Sequence, residues 1–115
     1  MDYERLCDEI FKIDDKIRFV AVYDDSITKL AGGIRKGLKQ YLTDDLTLLS
    51  VEGSFLRWRS RKNLKEWIGE ALYAFTEYEK VKRFTFYISP KKLLLVSTER
   101  DVDTNTIANA VRSKL

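Results

Sequence analysis

The 115-residue chain is 44% hydrophobic and 12% aromatic, enough for one apolar core and a single domain spanning 1–115, and too rich in apolar side chains for disorder. It has no histidine and one cysteine, Cys7, an inventory that excludes Ser–His–Asp triads, Cys–His pairs, zinc sites and any internal disulfide. The net charge of +3 is unevenly spread: residues 1–33 carry −3, residues 34–69 carry +4 and the remainder +2. Such polarity suits an acidic partner or head-to-tail contacts, or simply a solvated face.

The opening MDYERLCDEI is acidic from its second residue, unlike a signal or transit peptide, and no apolar run reaches the roughly 20 residues of a membrane span. A soluble cytoplasmic protein without a membrane partner is expected. Tyr3, Leu6, Cys7, Ile10 and Ile13 recur at helical spacing, so residues 2–14 form an amphipathic helix capped by Asp2. Cys7 is then a small buried hydrophobe. The run IRFVAVY, residues 17–23, is a strand covered on both faces. After the polar turn Asp24-Asp25-Ser26, residues 27–31 return as a second strand that ends in Gly32-Gly33. The glycine pair marks a bulge or strand exit; the following Ile34-Arg35-Lys36-Gly37 lacks the spacing of a phosphate-binding loop. Residues 34–42 form a basic connector.

Thr43 caps a long helix read through to Trp67, with Asp44 and Asp45 favoured by the dipole at its start. At 100° per residue this helix has two non-polar faces. Leu46, Leu49, Gly53, Leu56, Ser60, Leu64 and Trp67 form a stripe along its whole length, expected against the sheet. Leu48, Val51, Phe55 and Trp58, continued by Arg59 and Lys62, form the second face. Either a terminal helix covers that face or it is a dimer or partner interface. Three further strands follow, over 70–78, 81–88 and 93–98, joined by turns at Glu79-Lys80 and Ser89-Pro90-Lys91-Lys92. Asp101 or Asp103 caps a last helix with Ile107, Ala108, Val111 and Leu115 as its apolar stripe.

The predicted order is α-β-β-α-β-β-β-α, an α+β fold with a five-stranded antiparallel sheet. This order, the hairpin IRFVAVYDDSITKLAGG and the strand block EALYAFTEYEKVKRFTFYISPKKLLLVSTE resemble the roadblock (dynein-light-chain-type) domains and their longin and profilin-like relatives, over essentially the whole chain. The segments are also similar to small proteins of ammonia-oxidising archaea. The roadblock resemblance implies a sheet with the long helix on one face, a homodimer formed through that helix and the neighbouring edge strand, and a scaffold or small-GTPase-regulating role. Carried over by position, it places Leu48, Val51, Phe55 and Trp58 in the dimer surface. The basic helix end, Arg57 to Lys65, departs from what a symmetric interface usually carries. A PAS-like sensor is the competing fold, though it normally opens with strands.

Four functions are consistent with these residues. The first is a non-enzymatic interaction module, homodimeric or bound to a regulatory protein partner. The second is nucleic-acid binding through Arg57, Arg59, Arg61, Lys62 and Lys65, which interleave with Trp58. The third is a small-ligand pocket lined by Tyr73, Phe75, Phe84 or Phe86, residues that more often form a core. Catalysis comes last. The pairs Asp14-Asp15, Asp24-Asp25 and Asp44-Asp45 are adjacent in sequence and diverge in direction, so they are poor general acid/base pairs, and no metal or cofactor is expected.

Overall fold

Five strands pair into one sheet, seen in a computed structural model that describes all residues 1–115. The strands are β1 (Ile17–Asp24), β2 (Lys29–Ile34), β3 (Tyr73–Glu77), β4 (Val81–Ser89) and β5 (Lys92–Glu99). Their order across the sheet is β2-β1-β5-β4-β3, and every neighbouring pair is antiparallel. Helices α1 (Tyr3–Phe11), α2 (Asp44–Lys62) and α4 (Thr104–Arg112) accompany them, with a single turn α3 (Lys65–Ile68) after α2. The predicted element order is therefore found, with α3 added.

The sheet separates two apolar layers. On one side Leu6, Cys7 and Ile10 of α1 and Ile107, Ala108 and Val111 of α4 pack on Val20, Val22, Phe84, Phe86, Leu94 and Val96. On the other, Val51, Phe55 and Trp58 of α2 pack on Ala21, Tyr23, Leu93 and Leu95. Successive residues of β5 serve opposite layers, which is why Leu93 to Val96 is unbroken apolar sequence. Tyr73 stacks on Phe86 at 5.6 Å and Phe75 on Phe84 at 5.7 Å, on the α1/α4 side. These four aromatics thus belong to the core and its rim, the commoner of the two readings of them.

Local chemistry sets the element ends. Asp2 accepts from the Arg5 N–H at 3.1 Å and Thr43 from the Leu46 N–H at 3.2 Å, as N-caps do. Arg35 of the basic connector is a structural staple. It donates to the Ile17 and Phe11 carbonyls at 2.7 Å and to the Asp14 carbonyl at 2.9 Å, fastening the open carbonyl end of α1 to the start of β1. Gly32 and Gly33 lie inside β2 rather than past its end. The turn before β2 runs from Asp24 to Thr28, with the Asp24 carboxylate accepting from the Ser26 and Thr28 N–H groups, and this moves the strand toward the C-terminus. The bulge is found nearby, where Val22 pairs with Ala31 and Tyr23 with Lys29, leaving Leu30 unpaired.

Cys7 is buried in the α1/α4 layer, and burial, aided by Glu4 and Asp8, pushes its thiol up to about 11. The folded chain therefore holds the thiol neutral where an unfolded chain ionises it. The associated stability is fully present below the ordinary value of 9.0 and is lost as pH rises through about 11. Alkylation of the native protein by iodoacetamide near pH 8 is expected to proceed at least about a hundredfold more slowly than in denaturant, because the thiolate is scarce and enclosed. Equal rates in the two conditions would contradict this burial.

Candidate functional site: the outer side of the long helix

The central helix is shorter and turned over relative to its reading from sequence. α2 ends at Lys62, where Asn63 and Leu64 close the last turn by N–H bonds to the Ser60 and Arg61 carbonyls. Arg59, Arg61 and Lys62 lie in that turn, where cations favour the helix end. Trp67 consequently sits on α3, not on α2.

The sheet takes the face containing Val51, Phe55 and Trp58, exposed by 0%, 5% and 3%. The stripe expected in the core is the outer ridge instead: Leu46, Leu49 and Leu56 are 49%, 64% and 53% exposed, and Leu64 and Trp67 are exposed beyond them. Phe and Trp each remove far more area from water than Leu does, so this choice buries more apolar surface than the reverse. Terminal helices α1 and α4 are on the opposite side of the sheet and cover neither stripe.

Each residue assigned from sequence to the interface is thereby placed. Val51, Phe55 and Trp58 are core, and their assignment to a dimer surface is corrected. Leu48, Arg59 and Lys62 are exposed on the flanks of α2. The basic residues proposed for nucleic acid do not share one face. Arg57 folds back over Gly53, where an added Cβ would lie 3.1 Å from its guanidinium nitrogen. Arg61 lies over the Trp58 ring at 4.9 Å, Lys62 donates to the Pro90 carbonyl at 3.2 Å, and Lys65 pairs with Glu70 at 3.2 Å.

Beside the ridge, α2 and the β3–β4 turn are the walls of an open cleft of about 700 Å³. Leu46, Leu49, Gly53 and Arg57 face Tyr78, Lys80 and Arg83 across it, and Tyr41 and Leu42 of the connector close one end. Sequence reasoning missed this cleft, whose lining is drawn from positions 18 to 97. β3 is also an edge strand, with Phe75 exposed on it and Leu72 and Tyr78 exposed just beyond its two ends. No helix is long and apolar enough to cross a membrane, and no group of three or more His, Cys, Asp or Glu is placed to hold a metal ion.

A five-stranded antiparallel sheet with one long helix on one face and the two terminal helices on the other is the roadblock/profilin-like α+β fold. Solved structures show the likeness directly. MglB of Myxococcus xanthus superposes with a TM-score of 0.74 at 15% identity, covering 99% of this chain and 89% of that one. The roadblock/LC7 domain from Streptomyces avermitilis gives 0.66 at 14% identity, covering 98% and 94%. Profilin II of Acanthamoeba castellanii gives 0.62 at 10% identity, covering 98% and 93%. No family model matches the sequence, and no curated protein matches it.

Proposed function

We propose that the protein is a non-enzymatic interaction module that pairs with a second copy of itself through the outer ridge of α2 and the free edge of β3. The observation that carries this is the exposed line Leu46, Leu49 and Leu56 on a 19-residue helix, in a fold whose sheet ends in the unpaired edge of β3. Exposed apolar surface of this extent beside an open edge is what self-association removes from water. An MglB structure of the same fold is described as having a tetrameric arrangement, which supports self-association here. The partner class implied by the roadblock resemblance is a small GTPase, with the paired subunits acting as regulator or scaffold.

Size-exclusion chromatography with light scattering tests the pairing. The natural chain is expected to run as a dimer or larger. Leu49→Glu/Leu56→Glu is expected to run as a monomer with unchanged circular dichroism, since each buried leucine contributes about 1.5–3 kcal/mol and together they shift the equilibrium at least about a hundredfold. A natural chain that stays monomeric across the soluble concentration range refutes the pairing. Unchanged GTP hydrolysis and no binding with small GTPases of the same source would refute the partner class alone.

The nucleic-acid reading needs its cations on one stripe. Arg57, Arg59, Arg61 and Lys62 point around α2, Lys65 lies on α3, and several already hold protein groups, which favours the interaction module.

A further inference from the structure

Two guanidinium groups in the cleft have no carboxylate partner. Arg83 donates to the Ser50 hydroxyl at 2.5 Å and Arg57 to the Ser54 hydroxyl at 3.2 Å, and neither joins any ion pair of the fold. Ser50 and Ser54 are one helical turn apart on one side of α2, a separation of about 5–6 Å, so they hold the two cations as neighbours. Arg83 is half-buried on β4, beneath the helix. Two like charges gathered in a partly desolvated cleft are unfavourable until an anion joins them.

The remaining charges around the cleft do not supply that anion. Arg18 is bound to Glu99 and to the Lys39 carbonyl, and its guanidinium lies 4.5 Å from the Tyr41 ring centre. Lys80 lies 5.4 Å from the same ring, and Glu79, the only acid of the lining, makes no ion pair within it. Leu46, Leu49 and Tyr78 line the outer part with apolar surface. The volume of about 700 Å³ falls within the range of small-molecule sites, roughly 300–1,000 Å³.

We infer that this cleft binds a small organic anion with an apolar body. Its carboxylate, phosphate or sulfonate head sits on Arg57 and Arg83, and its body lies along Leu46, Leu49 and Tyr78. Planar, forked donors suit such oxyanion heads. All the lining belongs to one chain, but Leu46 and Leu49 also stand on the ridge proposed for pairing, so ligand and second copy compete for them and binding is read at concentrations where light scattering shows the monomer.

The fluorescent dye anilinonaphthalene sulfonate carries the required head and body, and phenylnaphthylamine is its uncharged counterpart. The natural chain is expected to bind the sulfonate saturably at one site and the neutral dye more weakly. Arg57→Gln/Arg83→Gln is expected to lower sulfonate affinity about ten- to a hundredfold, as lost charge-assisted bonds do, without changing affinity for the neutral dye. Arg59→Gln removes the same charge from the helix's other flank and is expected to bind as the natural chain does. Arg57→Gln alone, at an exposed position, keeps the test valid if Arg83 also supports packing. Displacement of the dye by decanoate or dodecyl phosphate supports the site and identifies the preferred head. Equal binding of the two dyes, equal loss in Arg59→Gln, an unaffected double variant, or failure of both competitors would each overturn the proposal. Light scattering on the same samples keeps this result separate from any change in pairing.

Discussion

Phe55→Ala and Trp58→Ala are each expected to lower stability by about 3–5 kcal/mol, the cost of emptying an aromatic site in a packed layer. Leu56→Ala on the same helix is expected to cost less than about 1 kcal/mol when all the variants are compared as monomers, at concentrations below the pairing equilibrium. The contrast follows from burial: Phe55 and Trp58 pack with Ala21, Tyr23, Leu93 and Leu95, whereas Leu56 stands on the outer ridge. Trp58→Phe separates area from polarity. The Trp58 indole N–H is buried without an acceptor, so its removal relieves a desolvation cost of about 1–3 kcal/mol while part of the ring contact stays. That variant should therefore lose well under half of what the alanine loses. Urea denaturation of the four variants measures all of this. A Leu56→Ala loss equal to the Phe55→Ala loss would reverse the orientation of α2.

The element order was legible in the chain because strand and helix periods are plainly different in it. Phe84, Phe86 and Ile88 alternate with Arg83, Thr85 and Tyr87, and Leu6, Cys7 and Ile10 follow a helical spacing. The orientation of α2 was not legible, because periodicity identifies a non-polar face without saying which of two faces meets the sheet. The length of the stripe favoured Leu46, Leu49 and Leu56; contact area favoured Val51, Phe55 and Trp58, and contact area prevailed. The candidate site inherited that reversal. The exposed helix surface is real, but its residues are those first assigned to the core. The break at Asn63 carried no proline or glycine to announce it. The cleft draws Arg57 from α2 and Arg83 from β4, a juxtaposition that local pattern does not encode.

The glycines of β2 carry the second large effect. Gly32 has a φ of +90°, and a Cβ there would collide with the Val20 carbonyl oxygen and the Ala21 Cα of β1. Gly37 has almost the same backbone, φ +88°, yet an added Cβ meets nothing within 4 Å. The pair isolates one variable. Gly37→Ala bears only the left-handed strain of a side chain, about 1–2 kcal/mol. Gly32→Ala bears that strain and must also force β1 and β2 apart at the Ala21–Gly32 pair. The colliding atoms are backbone, so no side-chain rotation relieves them. A total of about 4 kcal/mol or more is expected, a large share of the stability of a domain of this size. Thermal denaturation of the two variants gives the difference, and amide exchange locates it, with protection lost first along β1 and β2. Equal losses for Gly32→Ala and Gly37→Ala would mean that β2 does not approach β1 as closely as its register requires.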